Sequence, residues 1–529
     1  MTTTLPSTTP PPTTSHAPSH PHPPAPSPEA NPQDPWSTVT ASVAEDLAVS
    51  PAVDSAVDPA EAEQARHAQR DLLRLATAGS VDDGKSTLIG RLLYDTKSVL
   101  ADQLSAVERA TAARGGGAGD LAPDLALLTD GLRAEREQGI TIDVAYRYFS
   151  TATRAYVLAD TPGHVQYTRN MVTGASTAEL AIVLVDARKG VLEQTRRHAT
   201  VTALLGVPHV VLAVNKMDLV DFDQTRFAAI AQEFADHASG LGIDDVQAVP
   251  VSALDGDNVV ERSARTPWYD GPTLLEHLEQ VPVQRDVHAE AFRFPVQYVI
   301  RPRTSEHPDY RGYAGRVAAG TVRVGDELAV LPSGRRSTVV GIDTFDGPLE
   351  LAHAPQSVTL RLADDVDVSR GDVLAPADQA VTTGLDLTGT VCWLAERPSV
   401  LGARLLVRIG TRTVRALLRE VDAILDVDTL GVHTLASVDT AHVLDAVDTS
   451  PTVPRTLGLN AIGRVQVRLA EPVVLDDYAR HRRTGGFLLV DPVDGATLAA
   501  GMVGPTLLDA LVPTSTDDEA GDWLAGAGI

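Results

Sequence analysis

A glycine-rich segment, GSVDDGKSTLIGRLL at residues 79–93, is the feature that most constrains how this chain can fold. Gly79, Gly84, Lys85 and Ser86 fit the pattern G-x-x-x-x-G-K-[ST], whose backbone N–H groups surround phosphate oxygens. Apolar residues before the pattern predict a strand, and those after it predict a helix, which is the context that such a loop requires. We assign to this phosphate-binding loop Gly79, Ser80, Val81, Asp82, Asp83, Gly84, Lys85, Ser86 and Thr87.

Lysine is scarce in this chain, which makes the position of each lysine informative. Of the 44 basic residues, only Lys85, Lys97, Lys189 and Lys216 are lysines, and the first and last of these fall in motifs assigned here to nucleotide binding. A compact ammonium on a thin stem suits a phosphate loop in a way that a planar guanidinium does not. The placement therefore favours a phosphate-binding role for Lys85, where it would bridge β- and γ-phosphates.

A second motif, DTPGH, follows an apolar run that predicts a strand at 154–160. A carboxylate at Asp160 can hold Mg²⁺ through water, and Gly163 has no Cβ to keep its N–H from a terminal phosphate. His164 can then place the attacking water. The predicted nucleotide contacts of this motif are Asp160, Thr161, Pro162, Gly163 and His164.

A third motif, NKMD, follows another buried strand and indicates which base is bound. The Asp218 carboxylate can accept two N–H groups from the edge of guanine, while adenine offers no such donor pair. Asn215 would meet the base on its other side, and the backbone of the SAL segment at 252–254 would support it. The residues predicted here are Asn215, Lys216, Met217, Asp218, Ser252, Ala253 and Leu254.

A fourth motif, EREQGITID at 135–143, lies between the first two. A threonine on a mobile loop can complete a magnesium shell when a γ-phosphate is present, and Thr141 is the candidate. The predicted magnesium ligands are therefore Ser86, Thr141 and Asp160, and the predicted catalytic residues are Lys85, Thr141 and His164. Together the four motifs, in this order, predict a domain that binds GTP with Mg²⁺ and hydrolyses it.

The pattern of apolar residues, glycines and prolines divides the whole chain into five regions. Apolar runs alternate with helical segments over 67–285, which predicts an α/β P-loop domain built on a mostly parallel, doubly wound sheet. Alternating strands with glycine turns follow, and we expect two all-β barrels at 286–379 and 380–505. The proline-rich head at 1–66 is predicted to be disordered, and 506–529 to be an acidic tail.

Composition narrows the function classes. A net charge of −26 argues against binding nucleic acid through a broad basic face, so no nucleic-acid partner is expected. We expect no disulfide within the chain, which has one cysteine. We also expect no signal peptide, since the N-terminus has no basic stretch followed by an apolar one, and no membrane span, since no apolar run of about 18 residues occurs. These features predict a cytoplasmic protein.

The motifs also carry a resemblance. EREQGITI, DTPGH and NKMD, followed by two barrels, resemble the translation-factor class of GTPases. Within that class, GSVDDGKSTLIGRLLYDTKSV, HVQYTRNMVTGAS, DARKGVLEQTRRHA and RRTGGFLLVDPVDGATLAAGMV look most like the large, GTPase subunit family of sulfate adenylyltransferase, over about residues 68–503. Elongation factors usually have His where this sequence has Ser80 and Asp83, which favours the sulfate-activating family.

The resemblance implies a heteromeric enzyme in which a small catalytic subunit binds ATP and sulfate and forms adenosine 5′-phosphosulfate and pyrophosphate. GTP hydrolysis on the large subunit would drive that unfavourable reaction. We find no second nucleotide loop after residue 260, so we expect adenylyl transfer to take place on another polypeptide. Two alternatives stay open from sequence: a translation elongation or other ribosome-acting GTPase, and a GTP switch that only binds partners.

Overall fold

The computed structural model describes residues 71–99, 101–115, 123–128, 143–164, 167–282, 289–302, 305, 309–434, 456–505, 508 and 511. Thr141 and the predicted head at 1–66 lie outside the described residues. So does the predicted tail, apart from 508 and 511.

A six-stranded sheet forms the first folded region. Its strands are β1 (Asp71–Gly79), β2 (Ala145–Ser150), β3 (Arg154–Asp160), β4 (Leu180–Asp186), β5 (His209–Asn215) and β6 (Val246–Pro250). Their order across the sheet is β2-β3-β1-β4-β5-β6. β2 runs antiparallel to β3 and the other neighbours are parallel, which confirms the prediction of a mostly parallel sheet.

Helices cover both faces of this sheet, as a doubly wound fold requires. They are α1 (Lys85–Asp95), α2 (Ala101–Gly115), α3 (Thr168–Ala175), α4 (Glu193–Leu204), α5 (Gln224–Gly240) and α6 (Leu274–Gln280). Every residue of β4 is buried, and its alternate side chains enter two separate apolar clusters. One cluster contains residues of α3, α4 and α5, and the other contains residues of α1 and α6. This double burial explains why the strand is continuously apolar from Leu180 to Val185.

A first closed β-barrel follows. Its strands are β7 (Phe294–Ile300), β8 (Gly312–Arg316), β10 (Glu327–Leu331), β11 (Arg335–Thr344), β12 (Gly347–Leu349), β14 (Ser357–Leu362) and β15 (Val373–Pro376), with β9 (Thr321–Arg323) and β13 (Leu351–His353) forming a separate pair. The order is β10-β15-β7-β8-β14-β11-β12, and β10 also pairs with β11, which closes the ring. Closure leaves no open edge among the six strands from β10 to β11 in that order, and β12 pairs with β11 outside the ring.

A second closed barrel is built in the same way. Its strands are β16 (Thr383–Trp393), β17 (Arg404–Ile409), β18 (Arg412–Leu425), β19 (Val432–Thr434), β20 (Ile462–Val474), β21 (Gly486–Val490) and β22 (Thr497–Val503). The order is β17-β21-β22-β16-β20-β18-β19, and a further pairing of β17 with β18 closes the ring. The fold class predicted from sequence is confirmed, while the domain boundaries at 67, 286 and 380 stay predictions.

The second barrel packs directly on the α/β region. Cys392, Leu425 and Met502 join the apolar cluster that also contains residues of α3, α4 and α5. The Arg482 guanidinium donates to the carbonyl oxygens of Ala178 at 3.1 Å and Ala175 at 3.3 Å, at and just after the end of α3. The barrel is therefore attached to the helix that follows the DTPGH motif. Among the described helices, none has the length and hydropathy needed to cross a membrane.

Candidate functional site

The phosphate-loop segment joins β1 to α1 in a conformation that depends on glycine. Gly84 has φ +93°, in the left-handed region, and a Cβ there would lie 2.4 Å from Nδ2 of Asn215. Asp82 also has a positive φ, +68°. The first turn of α1 forms directly after Gly84, whose carbonyl accepts the N–H of Leu88 at 2.9 Å. The loop is therefore a tight backbone turn that ends in a helix N-terminus, a geometry suited to binding phosphate.

Lys85 lies beneath this loop. Its Nζ donates to the carbonyl oxygens of Gly79 at 3.0 Å and Ser80 at 2.9 Å, and the residue is only 7% exposed. Burial lowers the pKa of the Lys85 ammonium, and the nearby carboxylates of Asp160 and Asp83 oppose that shift. The ammonium is thus a buried cation that lines a cavity and is partly solvated by backbone carbonyls.

Asp83 stabilises the phosphate loop through a hydrogen bond within it. Its Oδ2 accepts the backbone N–H of Ser80 at 2.6 Å, and the side chain is fully buried. Burial raises the pKa of the Asp83 carboxyl, although the Ser80 N–H and the Lys85 charge act in the opposite direction. Within the part of the chain that the structure describes, Oδ1 of Asp83 and Oγ of Ser80 have no hydrogen-bond partner. Ser80 and Asp83 are the two loop positions at which the sequence favours the sulfate-activating family over elongation factors.

The DTPGH motif begins at the end of β3, next to the loop. Asp160 is buried, and its Oδ1 accepts the Thr77 hydroxyl at 3.1 Å. The Thr161 hydroxyl donates to the Thr77 carbonyl at 2.5 Å, which ties β3 to β1. A Cβ on Gly163 would lie 2.3 Å from Nζ of Lys85, so only glycine fits at this position without displacing the ammonium. The buried Pro162 precedes Gly163, and His164 is exposed.

The NKMD motif follows β5 and supports the loop. Nδ2 of Asn215 donates to the Asp83 carbonyl at 2.7 Å, and its Oδ1 accepts the N–H of Ala253 at 2.9 Å. Lys216 donates to the Asp82 carbonyl and forms an ion pair with Asp186 at 3.1 Å. Asn215 therefore connects the phosphate-loop segment to the SAL segment. Its predicted contact with the base stays a prediction.

A cavity of about 280 Å³ brings residues of three motifs together. Among the predicted residues it is lined by Val81, Asp82, Gly84, Lys85, Ser86, Thr87, Gly163, His164 and Lys216. Ala126, which the sequence did not single out, also lines it. The cavity lies at the carboxyl ends of the parallel strands, where ligands bind in open α/β sheets.

Other predicted residues lie around this cavity without lining it. Asp218 is half-buried in a short 3₁₀ helix, Met217–Val220, in which Met217 is buried. Ser252 is fully buried, while Leu254 is 65% exposed. The guanidinium of Arg91 donates to the Leu254 carbonyl at 2.5 Å, which fixes the SAL segment against α1. Thr141 lies outside the described residues.

Two supporting residues were missed by the sequence reasoning. Nδ1 of the fully buried His198, on α4, accepts the Gly79 N–H at 3.0 Å. Asp186, at the end of β4, binds both Lys216 and the guanidinium of Arg188, the latter at 2.6 Å. Burial alone would raise the pKa of Asp186, but hydrogen bonds from Arg188 and Lys216 hold it well below its usual range. The only signal for His198 in the sequence was a single histidine on an amphipathic helix.

Comparisons with known proteins agree with this geometry. Residues 70–283 match the family described as elongation factor Tu GTP binding domain, and residues 386–504 match the GTP-eEF1A C-terminal domain-like family. The first match shows that the α/β region is a GTP-binding domain of the translation-factor class.

Full-length relatives extend the match to both barrels. The chain is 51% identical over 435 residues to sulfate adenylyltransferase subunit 1 of Bacteroides thetaiotaomicron, covering 82% of this chain and 86% of that protein. It is 54% identical over 434 residues to the bifunctional enzyme CysN/CysC of Mycobacterium tuberculosis, covering 82% of this chain and 67% of that protein. A solved structure of sup35 complexed with GDP is 24% identical with a TM-score of 0.35, over 83% of this chain and 94% of that one.

Proposed function

This chain belongs to the sulfate adenylyltransferase subunit 1 family, and on that premise we propose that it is the GTP-hydrolysing subunit of a heteromeric sulfate adenylyltransferase. Its role is to couple GTP hydrolysis to the formation of adenosine 5′-phosphosulfate and pyrophosphate from ATP and sulfate. The observation that carries the proposal is the single cavity at which Lys85, Gly163, His164 and Lys216 meet, in a chain related to that enzyme over most of its length.

The phosphates of GTP bind at the loop between β1 and α1. Lys85 neutralises the β- and γ-phosphates from a buried position in which the competing ligands of its ammonium are backbone carbonyls. The Gly163 N–H approaches the terminal phosphate because that residue carries no Cβ. The guanine base is selected by two N–H groups donated to the Asp218 carboxylate, while Asn215 holds the neighbouring segments in place.

The residues around the phosphate loop also suit Mg²⁺. Ser86 lines the cavity next to Lys85, and the buried Asp160 carboxylate ends a neighbouring strand, so hydroxyl and carboxylate oxygens lie beside the phosphate loop. Oxygen ligands of this kind are those that Mg²⁺ prefers. We assign Ser86, Asp160 through water and Thr141 as the residues that hold it. When bound, Mg²⁺ supplies neutralisation of the phosphate charge that develops during hydrolysis.

His164 is the residue that orients the hydrolytic water. It is exposed, lines the cavity and lies directly after the glycine that approaches the terminal phosphate. The helix α3 begins four residues later and is bound at its far end by Arg482 of the second barrel. Loss of the γ-phosphate can therefore be transmitted from His164 through α3 to the barrel.

The partner implied is a small catalytic subunit that binds ATP and sulfate. Its reaction forms a phosphoric–sulfuric anhydride and lies far uphill, so it needs a second source of free energy. We place the complex in the cytoplasm. The chain has one cysteine and so cannot form an internal disulfide, which fits a reducing compartment.

The test is reconstitution of the full chain with the small subunit and measurement of GTP hydrolysis. We expect hydrolysis to accelerate only when the small subunit, ATP and sulfate are all present, with pyrophosphate released in step. Hydrolysis that does not respond to ATP plus sulfate, and that ribosomes accelerate instead, would overturn the proposal in favour of a translation factor.

A further inference from the structure

A second cavity, of about 460 Å³, lies between α3 and the second barrel, apart from the nucleotide site. Its lining includes Arg169 and Val172 of α3 together with Arg408 of β17 and Phe487 of β21. Its volume falls within the range of small-molecule sites, about 300–1,000 Å³. None of the nine predicted nucleotide-site residues that line the first cavity lines this one.

The charge of this cavity is opposite to that of the chain. Four arginines line it, Arg169, Arg408, Arg482 and Arg483, and no Asp or Glu is among the described residues that do so. The chain as a whole has 70 acidic and 44 basic residues. Arg169, Arg408 and Arg483 are exposed, so water and salt screen their charges, but the local excess of positive charge still attracts an anion.

Three of the four guanidiniums are available for a ligand. Arg482 is engaged with the carbonyls of Ala175 and Ala178 and with the Tyr478 hydroxyl at 3.2 Å. By contrast, the structure gives the guanidiniums of Arg169, Arg408 and Arg483 no hydrogen bond or ion pair to any described residue. Arg483 is an exposed residue, yet partial shielding of its guanidinium from solvent lowers its pKa, as do the charges of Arg316 and Arg74. The carboxylates of Glu290 and Glu179 offset those effects in part.

The remaining surface of the cavity is apolar enough to contact the uncharged part of an organic ligand. Leu205, Leu394, Phe487 and Met502 are among its lining residues and are otherwise largely buried. Apolar walls with a few charged groups are the usual composition of a small-molecule site. Guanidinium forks match phosphate and sulfate oxygens in pairs.

We propose that this cavity binds a small organic anion that carries a phosphate or sulfate group, such as a mononucleotide, with Arg408 and Arg483 holding the anionic group. A ligand bound there contacts both α3 and the barrel, so it connects the helix downstream of His164 to the second barrel. The proposal does not require GTP hydrolysis or a partner subunit.

The test is calorimetric titration of the full chain, with the nucleotide site first saturated with GDP and Mg²⁺. Adenosine 5′-monophosphate, adenosine 5′-phosphosulfate and inorganic sulfate are titrated separately, which distinguishes a phosphate from a sulfate ligand and an organic from an inorganic one. We expect at least one adenylate to bind at one site per chain, at least tenfold more tightly than inorganic sulfate.

Variants locate that site. Arg408→Ala combined with Arg483→Ala should weaken adenylate binding at least tenfold, whereas Arg419→Ala, which removes an exposed arginine of the same barrel outside this cavity, should leave it unchanged. Thermal melting of each variant checks that it folds. Failure of both adenylates to bind at millimolar concentration, sulfate binding as tightly as they do, or binding unaffected by the double substitution would each overturn the proposal.

Discussion

The backbone N–H of Gly79 donates to Nδ1 of His198 at 3.0 Å, between residues 119 positions apart in the chain. The first residue of the phosphate-loop segment is thus held by a fully buried imidazole on α4. Nε2 of the same ring lies 2.7 Å from Nε2 of Gln194, so both ring nitrogens have a polar neighbour.

Removing this acceptor should loosen the loop. In His198→Leu the buried Gly79 N–H loses its partner, which costs about 1–3 kcal/mol of unfolding free energy. We expect weaker GTP binding in addition, since the turn that holds the phosphates is less fixed. Urea denaturation and GTP titration measure the two effects. His198→Asn keeps an acceptor near the Nδ1 position and should recover most of both, and equal losses in the two variants would contradict the role.

The same histidine makes stability depend on pH. Burial first, and then the charges of Lys85 and Arg197, lower the pKa of His198 from 6.5 to about 3. Between pH 6.5 and about pH 3, His198 is protonated in the unfolded chain but neutral in the folded chain. The free energy of unfolding therefore falls as pH falls through that range. From about pH 7 to pH 5 the native protein should lose about 1–2 kcal/mol more than His198→Asn does. If the denaturation midpoints of the native protein and of His198→Asn change with pH in the same way, His198 is not a buried neutral imidazole.

A methyl group at Gly163 should disturb the cation beneath the loop. The added Cβ of Gly163→Ala would lie 2.3 Å from Nζ of Lys85 and 2.6 Å from the Gly79 carbonyl, so the ammonium must move. We expect GTP affinity to fall at least about tenfold, at a stability cost of about 1–3 kcal/mol. Gly458→Ala is the matched control, because its Cβ meets nothing within 4 Å. Unchanged affinity in Gly163→Ala would show that this close approach has no part in binding.

His164 should affect hydrolysis without affecting affinity. We expect His164→Ala to bind GTP within about threefold of the native chain while turnover falls about 10²–10⁴-fold, the usual contribution of a residue that assists proton transfer or positions water. Single-turnover hydrolysis with bound GTP separates the two quantities. The exposed His433 on β19 supplies a control substitution, His433→Ala. Normal turnover in His164→Ala would mean that another residue orients the water.

Local pattern predicted much of this molecule. The continuous apolar run of β4 indicates a strand buried on both faces. The order of the motifs placed Lys85, Gly163, His164 and Lys216 at the carboxyl ends of parallel strands, and in the structure all four line one cavity. These inferences need only short-range sequence and the rule that parallel strands end at the same edge.

Contacts between residues far apart in the chain could not be predicted from local sequence patterns. The pairing of β17 with β18 that closes the second barrel leaves no mark in either segment alone. Likewise, Asn215 has the polar character expected of a ligand-binding residue, but its amide nitrogen donates to a backbone carbonyl and its amide oxygen accepts a backbone N–H. The contact of His198 with Gly79 depends on how α4 packs on β1, which periodicity does not specify.

Competition between GTP and ATP on the isolated full chain tests whether the site selects a guanine triphosphate. We expect ATP to displace bound mant-GDP at least about 100-fold less well than GTP, because adenine cannot donate two N–H groups to the Asp218 carboxylate. ATP competing as well as GTP, or no displacement by GTP at millimolar concentration, would contradict it.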